Sequence, residues 1–66
     1  MALLKLKSYV RNENENQYEI MLEKSAVQDE YFVSSLNSAH EFKVHLTTDN
    51  YHEAVAFFKK AVMINL

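Results

Sequence analysis

Residues 41–64 read EFKVHLTTDNYHEAVAFFKKAVMI, and this stretch decides the fold because the spacing of its apolar residues changes once. From Glu41 to Thr47 apolar and polar residues alternate, which is typical of a strand with one buried side. Beyond Asn50 the apolar residues recur at helical spacing. Asn50 and Glu53 resemble a capping box, with Asn in place of the usual Ser or Thr, and so mark the helix start. The stretch therefore predicts a strand followed directly by a C-terminal helix.

Both elements have a side that should be buried. In the strand, Phe42, Val44 and Leu46 have the inward parity. On a helical wheel, one face of the helix is apolar and the opposite face is charged. The apolar face comprises Tyr51, Ala54, Val55, Phe58, Ala61 and Val62, with Phe57 and Ile64 on one flank. We therefore expect the helix to dock on a sheet through this face.

The first 24 residues predict a hairpin. Residues 3–11 and 17–24 alternate, and the polar run at 12–16 is typical of a reversal centred on Asn14 or Glu15. The inward parity belongs to Leu4, Leu6, Ser8 and Val10 in the first strand, and to Tyr18, Ile20 and Leu22 in the second. The outward parity belongs to Lys5, Lys7, Tyr9 and Arg11, and to Gln17, Glu19, Met21 and Glu23. Cross-strand pairing should then bring the basic residues near the two glutamates.

Residues 25–36 leave two alternatives open. The segment from Ser25 to Gln28 fits a capping box and predicts a helix, whereas residues 31–33 favour a strand by propensity. We favour a strand from Glu30 to Leu36, followed by a polar reversal at 37–40. The predicted fold class is therefore α+β, a small antiparallel β-meander of three to four strands packed on one C-terminal α-helix. The alternative order of elements is β-β-α-β-α.

Length and composition exclude several classes of protein. A chain of 66 residues is too short to build two cores, so residues 1–66 should form a single domain. Cysteine and glycine are absent, which excludes disulfides, cysteine-ligated zinc and glycine-rich phosphate loops. The formal net charge of -2 gives no global attraction to nucleic acid or acidic membranes. The sequence shows neither a secretory signal nor a bilayer-spanning run, so we expect a cytoplasmic location.

Three histidines suggest a metal site, which the spacing disfavours. His40 and His45 have opposite parity on a strand, and His52 lies on the first helical turn, so their side chains should not converge. The serines have no nucleophile-elbow context, and no cysteine is available as a nucleophile. We therefore predict no metal, no cofactor and no enzymatic activity.

A basic and aromatic cluster is typical of nucleic-acid binding. Lys5, Lys7, Tyr9 and Arg11 interleave positive charge with a ring on which a base could stack. Glu19 and Glu23 are expected on the same face, where they would half-neutralise the positive charge. A small RNA- or DNA-binding domain is therefore the alternative function and not the leading one.

The leading hypothesis rests on apolar residues that one helix cannot cover. The third strand is apolar in both phases, with Tyr31 and Val33 in one and Phe32 and Leu36 in the other; whichever set packs under the helix, the other faces outward. The candidate interface comprises Leu3, Tyr9, Met21, Tyr31 and Val33. We expect a non-enzymatic protein-interaction module, a homodimer or a binder of another protein, that uses its exposed sheet face or edge. Its role would be that of a small regulator or inhibitor of the kind that phages and mobile elements encode.

Overall fold

A computed structural model describes residues 3–13 and 16–64. Within them the chain forms β1 (Leu3–Glu13), β2 (Asn16–Ser25), β3 (Tyr31–Asn37), β4 (Phe42–Thr48) and α1 (Tyr51–Ile64). The strands make one antiparallel sheet in the order β1-β2-β3-β4, and α1 packs on one side of it. The predicted α+β meander with a C-terminal helix is confirmed. The alternative β-β-α-β-α order is wrong, because the segment after Glu30 is a strand.

The predicted hairpin between the first two strands is confirmed. The β1–β2 ladder continues until Glu13 lies opposite Asn16, so both strands are longer than the alternation alone predicts. The predicted centre of the reversal, Asn14 or Glu15, lies outside the described residues.

The core lies between α1 and the two central strands. The buried helix residues are Ala54, Phe58 and Ala61, and the buried apolar residues beneath them are Ile20, Leu22 and Val33. The two alanines allow the helix to approach the sheet closely, while Phe58 fills the space between them. Burial of each larger apolar side chain contributes about 1.5–3 kcal/mol, so this cluster is the main source of stability. The side of the sheet that contacts α1 is the helix-side face, and the other side is the uncovered face.

Helix α1 begins at the predicted cap. The Glu53 amide donates to Asn50 Oδ1 at 3.0 Å, and the Asn50 amide donates to Thr48 Oγ1 at 3.1 Å. Thr48 therefore takes the place that the Glu53 carboxylate would have in a complete capping box. Within residues 3–13 and 16–64, no helix has the length and apolar character needed to cross a bilayer.

The loop between β2 and β3 is held by Lys24. Its ammonium group donates to the carbonyl oxygens of Ser25 and Gln28, both at 3.1 Å, and lies 5.9 Å from the centre of the Tyr31 ring. The Ser25 amide closes the loop by donating to the Glu30 carbonyl at 2.9 Å. A single side chain thus satisfies backbone acceptors in a connection that contains neither glycine nor proline.

Asparagine also organises the reversal between β3 and β4, as expected for residues 37–40. Asn37 Oδ1 accepts hydrogen bonds from the amides of Ala39 and Glu41, each at 3.0 Å. His40 completes the turn with a φ of 63°, a left-handed conformation that costs a residue with a Cβ about 1–2 kcal/mol. Glycine would adopt this conformation without that cost, but the chain contains none.

Each edge strand contains a one-residue β-bulge. In β1 the extra residue is Leu6, because Lys5 pairs with Glu23 and Lys7 pairs with the next residue, Leu22. In β4 the extra residue is His45, which lies between a residue paired with Val33 and one paired with Ser34. A bulge of one residue reverses the alternation of faces beyond it. The ladder between the central strands β2 and β3 has no such shift.

The bulges overturn part of the predicted burial, because directly opposed residues share a face of the sheet. Ser8 and Val10, predicted to point inward, lie on the uncovered face with Met21 and Glu19. Lys7, Tyr9 and Arg11, predicted to point outward, lie on the helix-side face. Phe42 and Val44, predicted to point inward, lie on the uncovered face, and only Leu46 of their set packs against the core. In the third strand Tyr31 and Val33 are the set that packs under the helix.

Candidate interaction surfaces

The uncovered face has an apolar half, formed by β3 and β4. Phe42 and Val44 are 56% and 45% exposed, and the half-buried Phe32 and Leu36 lie beside them on the same face. Leu36 is directly opposite Phe42 in the ladder, and Val44 is opposite Ser34, which lies between Phe32 and Leu36 on this face. The four residues therefore occupy neighbouring positions, here called the β3–β4 patch. Large apolar side chains grouped on one surface, rather than scattered, are typical of an interaction site.

The other half of the uncovered face, formed by β1 and β2, carries the charged residues of this face, together with the exposed Leu3 and Val10. Lys5 Nζ lies 3.2 Å from Glu19 Oε2, and Glu23 Oε1 accepts a hydrogen bond from Ser34 Oγ at 3.3 Å. Met21 lies between the two glutamates along β2, so the Lys5 side chain must pass it to reach Glu19. Met21 is only 6% exposed, although no element of the described chain covers this face, and the aliphatic stem of Lys5 on its way to Glu19 is placed to shield it.

The five residues of the predicted interface do not form one surface. Leu3 is exposed on the uncovered face, as predicted, and Met21 lies on the same face but is buried. Tyr9 is on the opposite, helix-side face. Tyr31 packs under the helix with its ring 5.5 Å from that of Tyr51, and Val33 is fully buried in the core. The predicted exposure of Met21 and Val33 is therefore wrong.

The candidate interface predicted from the sequence omits the four residues of the β3–β4 patch. Phe32 and Leu36 form the second apolar set of the third strand. They face outward because Tyr31 and Val33, which the predicted interface contains, are the set that packs under the helix. Phe42 and Val44 gave no such signal, because their alternation with Lys43 and His45 has the ordinary pattern of an inward-facing set.

The predicted nucleic-acid residues are separated by the bulge in β1. Lys7, Tyr9 and Arg11 share the helix-side face, whereas Lys5 lies on the uncovered face beside Glu19. Arg11 lies over the Tyr18 ring, 5.0 Å from its centre. Glu19 and Glu23, expected on the same face as the basic residues, lie on the face opposite to Lys7 and Arg11, so that expectation is wrong for these two.

A groove separates β1 from the helix. It has a volume of about 440 Å³ and is lined by Ser8, Tyr9, Phe58, Lys59, Val62 and Met63. The helix packs mainly over β2, β3 and β4, which leaves the helix-side face of β1 open. Met63 is 81% exposed at the rim of this groove. We call it the β1–α1 groove.

Two clefts, of about 360 and 460 Å³, lie at the hairpin end of the sheet and share Tyr18 and Asn37. In the larger one, Ser35 Oγ and His45 Nε2 are 2.7 Å apart, within hydrogen-bonding distance. Burial lowers the pKa of His45 below its ordinary value of 6.5, and the neighbouring Lys43 ammonium lowers it further. The bulge thus places a neutral imidazole against a buried serine.

The histidines lie in three different environments. His40 is in the β3–β4 turn, His45 is in the β4 bulge and His52 is on the first turn of α1. In the part of the chain that the structure describes, no group of three or more histidine and acidic side chains could hold a metal ion.

No family model, curated protein or solved structure matches this chain. The function must therefore be inferred from its own surfaces.

Proposed function

We propose that the protein is a non-enzymatic, cytoplasmic protein-interaction module that pairs with a second copy of itself through the β3–β4 patch. The observation that carries this proposal is the exposure of Phe42 and Val44 beside Phe32 and Leu36 on a face that no element of the described chain covers. In the paired form it would act as a small regulator or inhibitor.

The gain from covering the patch is large enough to drive association. Complete burial of a side chain such as phenylalanine or valine contributes about 1.5–3 kcal/mol, and a twofold interface counts every residue twice. Against this stand the loss of rotational and translational freedom and the ordering of side chains. Four partly exposed side chains make a small interface beside the roughly 800 Å² per partner of a standard one, so we expect a micromolar dimer.

A second copy fits the face because a twofold axis can join the apolar halves. An axis that runs along the strands, between β3 and β4, would place β3 of each copy over β4 of the other. Leu36 would then face Phe42 of the second copy, since the two lie opposite each other in the ladder. The charged halves would lie outside the overlap, so Glu19 and Glu23 would stay in water.

The test is the molar mass in solution, measured by light scattering after size exclusion at protein concentrations up to about 100 µM, above the expected dissociation constant. Wild type should approach the dimer mass. Phe42→Glu and Val44→Glu should remain at the monomer mass, because each would bury an unpaired carboxylate.

The matched control is Val27→Glu, which adds the same charge at a valine that is 80% exposed in the β2–β3 loop. It should keep the dimer mass. A wild-type mass that stays monomeric at the highest concentration would overturn the proposal, and so would an equal loss of dimer in the Val27 control.

A further inference from the structure

The β1–α1 groove is a second surface on the opposite side of the sheet from the β3–β4 patch. Four strands spaced by about 4.8 Å make a sheet roughly 19 Å wide, whereas one helix with its side chains is about 10 Å wide. Because α1 packs mainly over β2–β4, the width above β1 is free, and a second helix lying over β1 would be two strand spacings, about 10 Å, from an α1 centred on β3, which is a usual distance between packed helices. The exposed side chains along that free width include Leu4, Tyr9 and Met63.

The charged side chains that the described β1 and α1 place along the groove are lysines. Lys7 lies two residues from Tyr9 on the helix-side face of β1, and Lys59 lines the groove from α1. No acidic side chain occupies the helix-side face of β1 between residues 4 and 11, or of β2 between residues 18 and 24. The bulge at Leu6 produces this separation, because it leaves Glu19 and Glu23 on the uncovered face.

We propose that the β1–α1 groove binds an amphipathic helix of another protein, whose apolar stripe is flanked by Asp and Glu. The stripe would cover Tyr9, Val62 and Met63, and the acidic flanks would lie against Lys7 and Lys59. Helices with apolar residues at i, i+3, i+4 and i+7 dock into grooves in this way.

Other occupants fit the groove less well. An extended segment would pair with the free edge of β1 and lie beside the sheet, so the groove above it would stay open. A second copy of α1 is unsuitable, because its apolar stripe is already buried in its own core and its exposed face carries Lys59 and Lys60. Those lysines would meet the lysines of the groove.

This inference does not rest on the proposed dimer. A dimer joined through the uncovered face would leave the groove of each copy open, so each copy would bind one helix independently.

The test uses two fluorescein-labelled peptides of about 18 residues, long enough to form a helix on binding. Both have leucines at i, i+3, i+4 and i+7, and they differ only in carrying Glu or Lys at the flanking positions. Fluorescence anisotropy should show the Glu peptide binding about tenfold or more tightly than the Lys peptide. The double variant Lys7→Glu/Lys59→Glu should reverse that preference, and Met63→Glu should weaken binding of the Glu peptide about tenfold.

Phe42→Glu is the matched control, because it adds a carboxylate on the other face of the sheet and should leave peptide binding unchanged. It also separates the two proposals, since it should abolish dimerisation. Circular dichroism checks that every variant is folded; all three substituted residues at the groove, Lys7, Lys59 and Met63, are exposed.

Three outcomes would overturn the inference. One is equal affinity for the Glu and Lys peptides, and another is absence of saturable binding. The third is tighter binding of a labelled single-stranded oligonucleotide that weakens steeply with salt and competes with the Glu peptide, because that would assign the groove to nucleic acid.

Discussion

The central strands and the edge strands of this sheet differ in burial, register and use. β2 and β3 pair without a shift and supply the buried sheet residues Ile20, Leu22 and Val33. β1 is exposed from Leu3 to Val10, and both edge strands have a bulge. The described part of the chain has one helix, α1, and stability is therefore concentrated in the centre of the sheet beneath it. The edge strands β1 and β4 determine which side chains are exposed on each face.

The bulges are the means by which the edges do this. In β1 the extra residue Leu6 moves Lys7 and Tyr9 away from the glutamates of β2. In β4 the extra residue His45 exposes Phe42 and Val44 on the uncovered face. Bulges at sheet edges also twist the strand and interrupt regular pairing, which protects an edge against uncontrolled association.

The largest predicted effect tests this division directly. Leu22→Ala should lower the free energy of unfolding by about 2–5 kcal/mol, because it leaves a cavity beneath α1. A domain of this size has a total stability of about 3–10 kcal/mol, so the variant should lose about half of it and its urea midpoint should fall by a similar fraction. Urea titration followed by circular dichroism measures both.

Leu6→Ala is the matched edge substitution, with the same change of side chain at a residue that is 43% exposed. It should cost less than about 1 kcal/mol, because little apolar surface leaves a buried site. Equal losses for the two alanine variants would show that β1 belongs to the core and would remove the distinction between centre and edge.

The same division explains what the sequence predicts well. The change of period near Asn50 identifies the helix and its start, because capping and amphipathicity are local properties. Ile20 and Leu22 lie on the buried side as predicted, since the register of a central strand is fixed by neighbours on both sides. The strand after Glu30 was predicted in preference to a helix, and the structure agrees.

The faces of the edge strands could not be predicted, because a bulge leaves no mark on the alternation that surrounds it. The segment from Phe42 to Leu46 alternates without a break, yet its first two apolar residues and its last lie on opposite faces. Candidate surfaces depend on these faces. The β3–β4 patch, and the position of Lys7 on the face opposite to Glu19, could therefore be identified only from the structure.

The contact between Ser35 and His45 joins the β4 bulge to a central strand, and it should have an intermediate effect. Ser35→Ala should lower stability by about 0.5–1.5 kcal/mol, because the imidazole loses its partner.

The pH dependence of stability gives a second measure of this contact. The pKa of His45 is lower in the folded protein, so the unfolded chain takes up a proton first as the pH falls below 6.5.

His45 therefore contributes stability that is fully present above pH 6.5 and is lost as the pH falls from there through the lowered folded pKa. Urea titrations at pH 7 and at about pH 5 should show this loss in wild type and a smaller one in His45→Gln. His52→Gln, at an exposed position on α1, should retain the wild-type difference. An unchanged difference in His45→Gln would mean that the bulge does not hold its imidazole neutral.

The smallest predicted effect concerns Lys5 and Glu19, the ion pair that joins edge strand β1 to β2 on the uncovered face. A double-mutant cycle with Lys5→Met and Glu19→Gln should give a coupling energy of only about 0.2–1 kcal/mol, decreasing as salt is added.

The Lys5→Met variant keeps most of the apolar stem over Met21, whereas Lys5→Ala removes it. Lys5→Ala should therefore be less stable than Lys5→Met, because Met21 becomes exposed beside the β3–β4 patch. If the two variants are equally stable, the stem does not shield Met21, and Lys5 contributes to stability only through its charge.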